Sequence, residues 1–371
     1  MTTRRHFLKR GVLASSGALV TGALGGAFSL PAQARDEAWR MPDEGDRHAA
    51  TWMAFGPSEA IWGARLLPVA RQNLAGIARA IAAHEPVKML VREQEQEQET
   101  AARLCGASVE LVPCEIDDLW MRDTGPVFVK GGAGQLGAVG FNFNGWGNKQ
   151  EHEADAEVAS VVADRAGAAR VATRLVLEGG GIEVDGEGTA IITESCVLNA
   201  NRNPGLDKAR CEAELSRLLG LEKIIWLPGI AGRDITDGHT DFYARFASPG
   251  VVVAGLDPDP SSYDHAVTQR HLAILRKASD AKGRPLKVVT LPGPGSVRAR
   301  YENDQFAAGY INFYVCNRAV IAPEFGDAKA DRNTRDVLTD LFPGREVIQL
   351  DIDGVAAGGG GIHCTTQQQP A

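Results

Sequence analysis

The sequence predicts an α/β fold, and three observations predict it. Runs with apolar residues at three- and four-residue spacing alternate with short apolar runs of strand character. Polar, glycine-rich loops interrupt the alternation about once per sixty residues, room enough for one small strand-and-helix unit. No Pro/Ser-rich linker divides the chain, so residues 35–371 read as a single domain.

The elements follow in order. Helical patterns fall at 64–84, 151–166, 206–219, 263–281 and 332–341, and strand-like runs at 137–143, 190–198, 223–227, 251–255, 286–291, 313–322 and 347–350. The run of alternating Glu and Gln at 92–99 reads as a solvated helix face. Residues 1–34 stand apart. Arg4-Arg5-His6-Phe7-Leu8-Lys9 opens a modestly apolar stretch that closes on Pro31-Ala-Gln-Ala34, the pattern of a twin-arginine signal peptide, which predicts export of a folded chain to the periplasm or beyond. No later segment is long and apolar enough to span a bilayer, so no stable membrane association is expected once the signal is removed.

The formal charge is −8, from 39 Lys+Arg against 47 Asp+Glu. Phosphate contacts need clustered basic residues, so this balance argues against a nucleic-acid binder and suits a small cationic ligand. Six cysteines lie beyond the signal, with no Cys-x-x-Cys and no His-x-x-x-His, which argues against a structural zinc site. Cys196 and Cys316 fall in apolar runs and read as buried, inert thiols. The sequence leaves disulfide pairing and a homodimer open.

Five polar interruptions concentrate the chemistry: Trp120-Met-Arg-Asp-Thr-Gly-Pro126, Leu177-Glu-Gly-Gly-Gly181, Asp237-Gly-His-Thr-Asp241, Tyr310-Ile-Asn312 and Gly358-Gly-Gly-Gly-Ile-His-Cys-Thr-Thr-Gln-Gln-Gln-Pro370. Cys364 follows four glycines, of which Gly361 lies nearest, and such glycines let backbone approach a ligand. Flanking amides and hydroxyls could support a thiolate there. His363 faces away from its neighbour if the segment is extended, so it is set aside as a partner. His239 and Asp241 share a face if theirs is extended, which would place the carboxylate beside the imidazole; the same cluster could instead hold a divalent cation. Asp123 and Glu178 add carboxylates, and acids gathered near a thiol suit a planar guanidinium. Trp120 and Trp146 could cover such a cation with a π face or simply pack in the core.

These motifs, together with Leu198-Asn-Ala-Asn-Arg-Asn-Pro204, resemble the agmatine deiminase and bacterial-type peptidylarginine deiminase family over nearly the whole chain beyond the signal. The resemblance implies the pentein fold, a five-fold pseudosymmetric α/β propeller with its active site on the axis. It implies a cysteine hydrolase of guanidinium groups that needs no metal or organic cofactor. Carried over residue by residue, it implies Cys364 as nucleophile, His239 as general acid/base, and Asp123, Glu178 and Asp241 as carboxylates at the guanidinium. Asn312 matches a further active-site position. Agmatine is the expected substrate, in the service of putrescine formation, with peptidylarginine second; a guanidine-binding protein without turnover is a remote alternative. Asp-Gly-His-Thr-Asp at 237–241 and Asn303-Asp-Gln-Phe-Ala-Ala depart from the common agmatine pattern, which bears on how the far end of the substrate is held.

Overall fold

The computed structural model describes residues 38–371; the predicted signal at 1–34 lies outside them. Glu37–Ala371 fall in one contact unit. Within it the strands are β1 His48–Ala54, β2 Val87–Val91, β3 Val109–Pro113, β4 Val127–Lys130, β5 Leu136–Val139, β6 Ala169–Val171, β7 Ile182–Val184, β8 Thr189–Thr193, β9 Lys223–Leu227, β10 Ala244–Ser248, β11 Val251–Leu256, β12 Lys287–Pro292, β13 Tyr314–Val315, β14 Ala319–Glu324, β15 Glu346–Asp351 and β16 Gln367–Pro370.

They form five sheets with one repeated design. In β4-β5-β6, β7-β8-β9, β10-β11-β12 and β13-β14-β15 the first pair is antiparallel and the second parallel. The fifth sheet, β16-β1-β2-β3, repeats that order with the C-terminal strand in first place, so the last strand of the chain completes the first module. A parallel pair needs a crossover, and in every module a helix supplies it: Glu59–Ala82, Asp155–Arg165, Lys208–Leu219, Tyr263–Leu275 and Ala328–Leu341.

The five predicted helices are these five crossovers. The first begins before its apolar period does, because Gly63 is non-helical (φ 65°) and Pro68 lies inside it. Residues 95–99 of the run at 92–99 open a further helix, Glu95–Cys105, whose only buried residues are Ala101 and Cys105. Middle strands such as β8, buried along its whole length, carry continuous apolar runs, as a strand covered on both faces should. The predicted strand at 190–198 stops at Thr193, where the chain turns into the short helix Glu194–Val197. That at 313–322 is two strands with a turn between them.

The five polar loops occupy one topological position. Asp123 precedes β4, Glu178 precedes β7, His239 and Asp241 precede β10, Asn312 precedes β13 and Cys364 precedes β16. Each module therefore delivers its chemistry from the segment that enters its antiparallel strand.

Candidate active site

Cys364 sits in a single 3-10 turn, His363–Thr365, not in extended chain. Its thiol donates to Asn312 Oδ1 at 3.4 Å, its backbone N–H donates to the same oxygen at 3.3 Å, and Sγ lies 3.7 Å from Asp241 Oδ2. A Cβ on Gly361 would stand 2.4 Å from Asn312 Oδ1, so only glycine permits this approach. Asn312 also reaches Asp241, its Nδ2 donating to the backbone carbonyl at 3.4 Å. All six cysteines are free thiols, so Cys364 is not tied up in a cystine.

His239 stands between carboxylates from two other modules. Nε2 is 3.1 Å from Glu178 Oε2, and Nδ1 is 3.7 Å from Asp123 Oδ1. The space shared by these groups is marked by Gly180. A Cβ there would sit 2.7 Å from His239 Nδ1, 2.8 Å from Asp123 Oδ1 and 3.1 Å from Asp241 Oδ2, so only a glycine lets these three reactive atoms close on one point. Asp241 Oδ1 is buried and has no hydrogen-bond partner, which leaves it a free acceptor. The predicted set Cys364, His239, Asp241, Asp123 and Glu178 is therefore brought together, with Asn312 and Gly361 beside the sulfur.

Several local readings change. The aspartate expected at the His239 imidazole is instead bonded to His363, whose Nδ1 lies 2.8 Å from Asp241 Oδ2. The His239–Asp241 pairing assumed extended chain, but Thr240–Phe242 is a 3-10 turn. His363, set aside on the same assumption, points inward and is buried. Glu178 is not free to clamp a cation: Oε1 accepts from Arg202 Nε at 2.9 Å, while Oε2 serves His239 and accepts from the Cys196 thiol at 3.5 Å. It stands behind the imidazole. Cys196 is fully buried, and burial and the Glu178 charge push its thiol up, in keeping with an unreactive cysteine that packs against Glu178.

The tryptophans support the site by their N–H groups. Trp146 adopts φ 55°, a conformation rare for a bulky residue, and its Nε1 donates to Asp123 Oδ2 at 3.0 Å while its ring meets Phe143 edge-on. Trp120 donates to Asp118 Oδ2 at 3.1 Å, and its ring lies against Gly360, where a Cβ would be 2.2 Å from it. Trp120 thus packs on the nucleophile's loop and Trp146 orients a carboxylate.

Among the described residues, Glu178, Cys196 and His239 form the one cluster with metal-ligand spacing, their ligand atoms lying within 4.8 Å of one another. Arg202 fits this trio poorly to a metal, because its guanidinium already supplies a positive charge to Glu178 and also donates to Asp237 Oδ2 at 2.7 Å. The sequence alternative of a cation shared by His239 and Asp241 is not drawn together as a ligand pair: His239 Nε2 faces Glu178, and Asp241 Oδ2 faces His363.

Burial and the charges of Asp241 and Asp123 hold the Cys364 thiol well above its ordinary range, which keeps it protonated at rest. Asp123 is pushed up to about 6, chiefly by burial, with Asp241 and Glu178 adding to it against His239 and Trp146. Burial disfavours charge on His239, but Asp123, Cys196 and Glu178 together raise it well above the usual histidine value. Both shifts favour the protonated forms, thiol and imidazolium.

Residues 40–370 match the family model described as Porphyromonas-type peptidyl-arginine deiminase. A Streptomyces coelicolor relative is 45% identical over 339 residues, 90% of this chain and 99% of its own. The agmatine deiminase of Stutzerimonas stutzeri is 38% identical over 365 residues, 92% of this chain and 98% of its own. A solved structure of the Enterococcus faecalis agmatine deiminase superposes with a TM-score of 0.83 at 32% identity, covering 90% of this chain and 96% of that one. The five-module architecture is the pentein propeller. The chain belongs to the Porphyromonas-type peptidyl-arginine deiminase family of guanidine-modifying hydrolases.

Proposed function

We propose that this protein is an agmatine deiminase, hydrolysing the guanidinium of agmatine to N-carbamoylputrescine and ammonia. The observation that carries the reading is the convergence at Gly180: Asp123, Asp241 and His239 close on it from three loops, and the Cys364 sulfur lies 3.7 Å from the same Asp241 oxygen. Full-length similarity to agmatine deiminases supports the substrate. So does depth. Cys364 and Asp123 are each only 7% exposed, Asp241 1%, which suits a slender free substrate better than an arginine on a protein surface.

The chemistry follows from the residues. A guanidinium bound between Asp123 and Asp241 offsets the two charges that hold the thiol up, so Cys364 ionises in the complex and its proton passes to solvent water. The thiolate forms a bond to the guanidinium carbon. Protonated His239 transfers its proton to one amino group, the C–N bond breaks, ammonia leaves, and a thiouronium on Cys364 remains. Neutral His239 then takes a proton from water as the oxygen attacks the same carbon. Collapse breaks the C–S bond, the hydroxyl proton passes to the departing sulfur, and the ureido product leaves with the free thiol restored. Glu178, held by Arg202, orients the imidazole and stabilises its charge.

Peptidylarginine is the second reading, favoured by the family description itself. The deciding assay offers agmatine, free arginine and an arginine-containing peptide, and measures ureido product with wild type and Cys364→Ser. Agmatine turnover lost in the variant is the expected result; equal activity in the variant would end the proposal. We further propose that residues 1–34 direct export and that 35–371 form the catalytic domain, which sequencing the N terminus of the protein from a periplasmic fraction would test.

A further inference from the structure

Behind Asp241 lies a second histidine that the mechanism does not use. His363 Nδ1 is 2.8 Å from Asp241 Oδ2, and Nε2 is 2.8 Å from Glu44 Oε2. Glu44 enters from the segment ahead of β1 and is itself fixed: it accepts from Arg245 Nη2 at 2.7 Å, Arg122 Nη2 at 3.1 Å and the Val315 backbone N–H at 2.9 Å. Arg245 continues to Glu183 at 2.7 Å. All of these side chains are buried.

The ring therefore faces a carboxylate at each nitrogen. A neutral imidazole has one N–H and one lone pair, so it can satisfy only one of them. The other contact would set a lone pair against a carboxylate oxygen at hydrogen-bond distance. A second proton must be held on the ring or on a facing carboxyl. Burial and the guanidiniums of Arg122 and Arg245 work against it on the ring, and the ring works against it on Asp241; the two short contacts still require it somewhere among the three groups. Asp241 then stands beside Cys364 as part of a trio carrying one negative charge rather than two. Oδ2, held by His363, is the oxygen that faces Gly180 beside His239 and Asp123, and the buried Oδ1 has no partner, so the carboxylate keeps acceptor capacity for a cation.

We propose that His363, braced by Glu44, is a positioning residue: it fixes the Asp241 carboxylate beside the guanidinium and limits the negative charge beside the Cys364 sulfur. This rests on the deiminase reading and deepens it. Because Oδ2 is at once the atom bonded to His363, the one that faces Gly180 and one 3.7 Å from the sulfur, cation binding and thiol reactivity pass through a single contact.

Two variants test this. His363→Ala removes both contacts; His363→Gln keeps one N–H donor toward Asp241. KM and kcat for agmatine are measured per titratable Cys364, with melting temperature recorded, and alkylation of Cys364 by iodoacetamide is followed without substrate. The expected result for His363→Ala is a KM raised about tenfold or more, a smaller fall in kcat, and slower alkylation, with His363→Gln recovering part of each. A merely structural role would lower melting temperature and active fraction and leave KM per site and the alkylation rate unchanged; that result in either folded variant overturns the proposal. If wild type releases no ammonia from agmatine, the deiminase reading fails by itself, and the alkylation rates alone decide whether His363 governs the thiol.

Discussion

Two buried histidines occupy corresponding loops of different modules, and their surroundings set them to opposite tasks. His239 lies between Glu178 and Asp123; His363 lies between Asp241 and Glu44. Burial works against charge on both. At His239 the acids outweigh it, since Asp123 and Glu178 both face the ring and the Arg202 guanidinium stands behind Glu178. At His363 Arg122 and Arg245 join burial on the opposing side. One ring is thereby kept as a mobile proton donor at the reacting carbon and the other as a fixed brace behind a carboxylate. The presence of a histidine near acids does not settle its role; the next cation out does.

The largest expected effect removes what both histidines serve. Cys364→Ser should lower the rate of ureido formation by about four orders of magnitude, as loss of a covalent nucleophile does, with agmatine binding retained and measurable by calorimetry. His239→Asn should come next, lowering kcat by about a thousandfold with little change in KM, because the acid/base acts in the chemical steps. That pattern is the reverse of the KM-weighted effect expected at His363. If steady-state kinetics gave the two histidine variants the same split between kcat and KM, the contrast drawn here would dissolve.

A pH profile sharpens it further. Asp123 has a folded value of about 6, so it is neutral below that pH and no longer attracts the cation. The value of kcat/KM should fall as pH drops through about 6, and a limb near the ordinary aspartate range would contradict the burial and acidic crowding assigned to Asp123. The smallest effect is expected at Trp146→Phe, which removes the N–H bond to Asp123 while keeping most of the packing; KM should rise severalfold, about 1 kcal/mol of binding. An unchanged KM would make that indole a packing residue only.

Much of the site was legible because each module supplies one polar loop, and Asp123, Glu178, His239, Asn312 and Cys364 are unusual enough among glycines to be seen one by one. The crossover helices were legible too, since each has one buried face and hence a period. First strands were not. Val127–Lys130 and Ala244–Ser248 are short, and Gln367-Gln-Gln-Pro370 has almost no β propensity, being held in place by pairing with β1. Glu44 gave no local signal at all, because its importance lies in partners from three other parts of the chain.

Taken alone, the order of residues determined the reactive groups, their spacing and the module that repeats beneath them, since hydrophobic period and glycine placement are local properties. Tertiary structure decided which oxygen each histidine faces. Two 3-10 turns, His363–Thr365 and Thr240–Phe242, rotate side chains off the faces that extended chain would give them. Hydrogen bonds across modules then choose their partners, and no period in a sequence encodes a contact between residues more than a hundred positions apart, such as His363 and Asp241.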